Sequence, residues 1–180
     1  MQETRRAVGC GDLYVFGYGS LMWRPGFRFI ECSVARIYGY HRRLAVCSWH
    51  YRGTPQKPGL VFGLDKGGSC YGMLYRVATK NKGRILRYLF RREMFANVYM
   101  PRFVAASPED GKGAQRALVF VVRRDSPNYA PPMPDDKARR IIRRATGMSG
   151  SNVDYIKSTQ QRLTAMGVAC PQLTRLCRGL

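Results

Sequence analysis

The stretch Tyr14-Val15-Phe16-Gly17-Tyr18-Gly19-Ser20-Leu21-Met22-Trp23 decides how the rest of the chain is read. It starts as an apolar strand, breaks at two glycines one residue apart, and resumes with a hydroxyl and a bulky apolar cluster. Glycine lacks a Cβ and reaches positive φ, so a strand ending in Gly-x-Gly is expected to bring bare backbone N–H groups to a sheet edge. Consecutive N–H groups in such a loop form a concave nest suited to a carboxylate or phosphate. A dinucleotide loop needs G-x-G-x-x-G opening a helix. Here Met22 stands at the third glycine position and Arg24-Pro25-Gly26 follows, so that reading is rejected. An ordinary strand-to-turn exit fits the stretch as well as an anion site does, and the wider chain has to decide.

The chain has 180 residues, enough for one well-packed domain and short for two. A hydrophobic content of 45%, with 8 Phe, 11 Tyr and 2 Trp, excludes a disordered chain. Lys and Arg number 31 against 11 Asp and Glu, a net charge of +20 that attracts anionic substrates and polyanions. The cysteines at 10, 32, 47, 70, 170 and 177 form no C-x-x-C pair, so neither a metal site nor a disulfide framework has its spacing. Reduced, mostly buried thiols in a cytoplasmic protein are expected. No apolar run approaches the roughly 18–20 residues that span a membrane. The polar start, residues 1–12, lacks the apolar core of a secretory signal and reads as a short extension to a domain over 13–180.

Downstream, Leu13 to Gly17 reads as a buried strand and Cys32 to Ser48 as two strand segments bent at Gly39. His50 to Gly59 is a loop of turn residues. Leu60–Leu64 and Cys70–Val77 read as strands parted by a turn at Asp65-Lys66-Gly67-Gly68, with two more at Val98–Ala106 and Arg116–Arg123. Thr79 is the expected N-cap of a helix reaching about Ala96. A second helix starts near Pro134 with Asp135 and Asp136 in its first turn. Ala138, Ile141, Ile142 and Ala145 lie on one face and Arg139, Arg140, Arg143 and Arg144 on the other. A third follows Ser151, whose spacing to Asp154 is that of a capping box, with Tyr155, Ile156, Thr159, Leu163 and Met166 inward and Gly167 at its end. A short tail helix after Pro171 completes an α+β single domain with a mostly antiparallel or mixed sheet.

One side chain stands on the wrong face. The helix after Thr79 has its apolar stripe at Ile85, Leu86, Leu89 and Phe90, and the next position on that stripe is Glu93. A buried carboxylate is costly unless partnered. Three readings stay open: an ion pair with Arg91, Arg92 or Arg102, a frayed helix end that solvates Glu93, or a general base whose pKa is raised by desolvation.

Taken together, the stretch at 15–23, the loop His50-Tyr51-Arg52-Gly53-Thr54-Pro55, the helix end Tyr88-Leu89-Phe90-Arg91-Arg92-Glu93-Met94 and Ser149-Gly150-Ser151-Asn152-Val153-Asp154-Tyr155 resemble the ChaC family of glutathione-specific γ-glutamylcyclotransferases. The likeness runs from about Tyr14 to Leu176. It implies a small mixed β-barrel flanked by helices, no cofactor and no metal, and glutathione as the small-molecule substrate. The implied reaction is an intramolecular cyclisation in which the α-amine of the γ-glutamyl group attacks its own γ-carbonyl, releasing 5-oxoproline and Cys-Gly. Glu93 matches the catalytic position, and Gly17, Tyr18, Gly19, Ser20, Leu21 and Met22 match the substrate loop. Tyr99 and Tyr129 resemble the family's pocket tyrosines. The chemistry is coherent: a free Glu near ~4.3 against an α-ammonium near ~7.7–8.0 leaves about 3.5 units, roughly 5 kcal/mol, to be closed by burial of the acid.

Two departures stand beside the resemblance. Gly83 lies inside the catalytic helix and costs about 1 kcal/mol relative to alanine, and the +20 charge exceeds what a glutathione anion requires. Other readings are a same-fold enzyme acting on a different γ-glutamyl amide, or a basic module binding nucleic acid or another polyanion through Lys137–Arg144 and Arg84–Arg92. Against the last, no RNP1-type aromatic motif is present. His41 and His50 read as structural or loop residues. Arg52 is expected either to meet the glycyl carboxylate of glutathione or to stabilise its turn.

Overall fold

A computed structural model describes residues 10–94 and 96–180. Five strands close a barrel in the order β1 (Leu13–Gly17), β3 (Gly59–Val77), β2 (Glu31–Ser48), β4 (Tyr99–Pro108) and β5 (Gln115–Val122). Neighbours along this order are antiparallel, while β1 and β3 each meet β5 in parallel, so the barrel is mixed. Val15, Ile37, Leu64 and Leu118 are completely buried, and each such side chain contributes about 1.5–3 kcal/mol. Helices α1 (Lys82–Glu93), α2 (Asp135–Arg144), α3 (Asn152–Ala165) and α4 (Pro171–Cys177) surround it, with a two-residue ribbon, β6 (Thr146–Gly147) and β7 (Gly150–Ser151), leading into α3. No helix among the described residues is long and apolar enough to cross a membrane. Residues 1–9 of the expected N-terminal extension lie outside the described residues.

Three expectations need correction. The turn at residues 65–68 does not divide the strand. Gly67 and Gly68, at φ +95° and +70°, make a bulge opposite Gly39 at φ +82°, and β3 runs on through it. Both strands bend together there, as an extra residue in one strand requires. Thr79 does not cap a helix. It opens a 3₁₀ turn (Thr79–Asn81), with its N–H and hydroxyl both donating to Asp12 Oδ1 at 3.0 and 2.9 Å, and α1 ends at Glu93 rather than near Ala96. Of the cysteines, Cys70 is buried, Cys47, Cys170 and Cys177 are half-buried, and Cys10 and Cys32 are exposed. The capping of α3 is as read: Ser151 Oγ accepts from the Asp154 N–H at 3.0 Å.

Asp65, which the sequence presents as a turn residue, organises one end of the barrel. Its buried carboxylate accepts from Arg43 Nε and Arg124 Nε at 2.8 Å each, from the Lys66 N–H at 2.9 Å and from the Tyr129 hydroxyl at 3.1 Å. Desolvation pushes its pKa up, but the bonds from Arg124, Arg43, Lys66 and Tyr129 outweigh it and hold the carboxyl well below the usual range. Arg43 also donates to Leu44 O and Ala130 O at 2.7 and 2.9 Å, tying the 129–130 segment to β2.

Candidate active site

Where β1 ends, the chain crosses the barrel mouth as Tyr18-Gly19 and enters a single 3₁₀ turn, Ser20–Met22. The carbonyls here are occupied from behind. Arg42 Nε donates to Tyr18 O at 2.6 Å, the Met22 N–H to Gly19 O at 2.9 Å, and the Tyr75 hydroxyl to Leu21 O at 2.8 Å. Met22 supplies the first N–H bonded within the turn, and those of Gly19, Ser20 and Leu21 precede it. A segment with its acceptors engaged and its leading donors ahead of the turn suits an anion. The glycines serve it differently from expectation. Neither Gly17 nor Gly19 has positive φ, and both are needed for close approach. A Cβ at Gly17 would stand 2.8 Å from Leu21 Cβ, and one at Gly19 would stand 3.0 Å from the Tyr155 hydroxyl.

This turn forms one wall of a cavity of about 480 Å³, within the usual range for a small-molecule site. Glu93, the last residue of α1, lines the same cavity with its side chain 15% exposed. Desolvation raises its pKa, and the Arg92 guanidinium, with Nε 3.1 Å from Oε1, partly opposes that rise. The ion pair and the desolvation that raises the carboxyl's pKa, set against each other in the sequence, therefore coexist, and the helix is intact to Glu93. Arg92 does more than pair. Its Nη1 donates to Arg24 O, Pro25 O and the Tyr88 hydroxyl at 2.8, 3.1 and 2.9 Å, and its Nη2 to Ser20 Oγ at 2.8 Å. It clamps the turn to the helix that carries the carboxylate.

Among the described residues lining the cavity, Glu93 is the one acid, facing Arg24, Arg52, Arg91 and Arg92. Arg52 is 7% exposed. It donates from Nη1 to Ser151 O at 3.1 Å, and its guanidinium lies 5.8 Å from the Trp23 ring and 5.4 Å from that of Tyr155. The buried Trp23 indole N–H meets no acceptor among the described residues. Of the residues singled out in the sequence, Tyr18, Gly19, Ser20, Leu21, Arg52, Glu93 and Tyr99 reach the cavity wall together. Gly17 and Met22 are not among the lining residues. Tyr129 belongs to the Asp65 network at the barrel end and is not among the lining residues. The sequence reading missed Trp23, Tyr88 and Arg92 as lining groups, and assigned Tyr155 to the core.

The closed five-stranded mixed barrel flanked by helices is a γ-glutamylcyclotransferase fold. A yeast γ-glutamyl cyclotransferase specific to glutathione has a solved structure that superposes with a TM-score of 0.85, at 23% identity over 94% of this chain and 95% of that one. The ChaC-like protein family model matches residues 13–177, and the chain belongs to that family. It is 32% identical over 158 residues to the glutathione-specific γ-glutamylcyclotransferase of Escherichia coli, covering 88% of this chain and 68% of that protein. Glutathione-specific γ-glutamylcyclotransferase 1 of Homo sapiens is 33% identical over 147 residues, 80% of this chain and 66% of that protein. The chain thus spans about two thirds of the length of these relatives.

Proposed function

We infer that this chain is a glutathione-specific γ-glutamylcyclotransferase with Glu93 as its general base and acid. The observation that carries the reading is a single desolvated carboxylate, the one acid among the described lining residues, in a cavity that also presents four arginines and several aromatic rings. Glutathione enters with two carboxylates and one ammonium, so the arginines attract its ends and the carboxylate faces the ammonium. The α-carboxylate is received by the Gly19–Leu21 turn, which puts the α-nitrogen toward α1. Glu93 takes one proton from the α-ammonium, and the freed amine attacks the γ-carbon. The same acid then delivers that proton to the cysteinyl nitrogen as its C–N bond breaks. The ring nitrogen loses its surplus proton and the released amine gains one from water. Folding the glutamyl chain into a near-attack shape supplies much of the rate, because the attack is intramolecular.

The direct test is incubation with glutathione and mass-spectrometric detection of 5-oxoproline and Cys-Gly in equal amounts. Their absence from a folded preparation overturns the reading. A related enzyme acting on another γ-glutamyl amide would release 5-oxoproline from that amide instead. The +20 charge adds a general attraction for anions, substrate included, that weakens with salt.

Selectivity for the Cys-Gly half is expected from Arg52, because in this reading the turn at residues 17–22 holds only the glutamyl end that all such substrates share. A charge-assisted hydrogen bond is worth ~1.5–3 kcal/mol, or about 10–150-fold. Arg52→Ala is therefore expected to lower kcat/KM for glutathione by that factor and to change γ-glutamyl-alanine turnover little. Equal losses on both substrates would assign Arg52 to holding Ser151 and the loop, with no part in selectivity.

A further inference from the structure

Cyclisation passes through a tetrahedral carbon whose oxygen carries negative charge, and a donor for that oxygen is still needed. Three buried tyrosines, Tyr18, Tyr99 and Tyr155, share the cavity wall with Glu93. Two of them have spent their hydrogens. The Tyr18 hydroxyl donates to Phe120 O at 2.7 Å and that of Tyr99 to Phe62 O at 2.9 Å. Tyr155 is wired the opposite way: its oxygen accepts the Phe62 N–H at 3.0 Å. A phenol that accepts from backbone keeps its own hydrogen for another acceptor, and no described residue takes it.

The hydroxyl is also held still. The Asn152 side chain accepts from Leu60 N at 2.6 Å and donates to Leu60 O at 2.8 Å, fastening the first turn of α3 to β3 one residue pair before Phe62. The Tyr155 ring is tilted against Phe62 at 5.7 Å and Trp23 at 6.4 Å between centroids. Its oxygen faces Gly19, 3.0 Å from where a Cβ would be, so it stands beside the turn that receives the α-carboxylate. In the pose proposed above, the γ-carbonyl follows the α-carbon along the same glutamyl chain, within the cavity that Tyr155 and Glu93 both line.

We propose that Tyr155 is a catalytic residue whose O–H donates to the γ-carbonyl oxygen and stabilises the oxyanion as the ring closes. The hydrogen stays on Tyr155 throughout. Its bond to the oxygen strengthens as the C=O π electrons move onto oxygen, and weakens when they return and expel the cysteinyl nitrogen. Burial pushes the phenol up to about 12, which keeps it a donor at neutral pH. This inference rests on the cyclotransferase reading above.

Tyr155→Phe is expected to lower kcat for glutathione by about 10²–10³-fold, the effect of removing one oxyanion donor. Glutathione affinity, measured by calorimetry with Glu93→Gln present in both proteins, should change less than threefold. A kcat within tenfold of wild type overturns the proposal while leaving the cyclotransferase reading intact. Affinity that falls as far as kcat also overturns it, because Tyr155 then serves ground-state binding. A wild-type protein that makes no 5-oxoproline overturns both. The Phe62 N–H loses its acceptor in Tyr155→Phe, so a second protein carrying 3,5-difluorotyrosine at 155 preserves shape and that bond. In it, kcat should acquire a fall at alkaline pH where the more acidic phenol ionises, at least one unit below any such fall in wild type. An unchanged pH profile overturns the proposal.

Discussion

Glu93→Gln is expected to keep the fold and lose turnover by about 10²–10⁴-fold, the usual effect of removing a general acid or base. The amide keeps the size of the side chain but accepts no proton from the α-ammonium. Arg92 is not orphaned by the change, because Arg24 O, Pro25 O, Tyr88 and Ser20 still accept its hydrogens. Desolvation raises the Glu93 pKa, so the folded state bears the cost of a buried charge once pH rises through that value. The variant lacks that cost, and its Tm at neutral pH should equal or exceed that of wild type. In wild type the acid limb of kcat/KM should lie above the ordinary ~4.3 of a free Glu, since only the ionised form is a base. Turnover within about tenfold of wild type in Glu93→Gln would remove Glu93 from the mechanism.

The second large effect concerns the fold. Asp65→Ala leaves the Arg43 guanidinium, in a residue 8% exposed, without its counter-charge. Breaking such a pair on one side costs about 3–5 kcal/mol. Arg124, whose side chain is 57% exposed, turns to solvent with little loss. For a domain of this size about 2–4 °C of Tm goes with each kcal/mol, so a fall on the order of 10 °C is expected. The pH dependence follows from the depressed carboxyl. Its contribution is complete above the unfolded value of ~3.9 and is lost as pH falls through the lower folded value. The gap between wild type and variant, read from urea unfolding, should therefore narrow below about pH 4. A difference under 1 kcal/mol at neutral pH would mean that the carbonyls of Leu44 and Ala130 and the Tyr129 hydroxyl satisfy Arg43 without the carboxylate.

Local signals in the chain were legible, and long-range ones were not. The apolar run into Gly-x-Gly placed β1 and the turn, the Ser151–Asp154 spacing placed the start of α3, and the stripe through Leu86 and Leu89 singled out Glu93. Each depends on residues within about two helical turns of one another. Thr79 was misread because the group that binds it, Asp12, is 67 positions away. Asp65 carries ordinary turn chemistry in Asp-Lys-Gly-Gly, and nothing nearby foretells Arg43, Arg124 and Tyr129. Tyr155 fell on an apolar helical stripe, where a periodicity count registers the ring and ignores the hydroxyl. Arg92 was named as a partner for Glu93, but its hold on residues 20–25 depends on how α1 crosses the turn.

Barrel closure also has a consequence for biosynthesis. Among the described strands β1 comes earliest in the chain, yet it pairs with β3 at Leu13↔Val77 and with β5 at Tyr14↔Ala117. The pocket wall in turn needs Tyr155, from a helix later still. At translation rates of about 5–20 residues per second, the Gly19 turn waits roughly 7–30 s for that last wall. A nascent or truncated chain therefore carries the Gly19 turn without the Tyr155 wall that completes its cavity. In the reading proposed above, cyclisation of a bound γ-glutamyl group is withheld until residue 155 has emerged and docked.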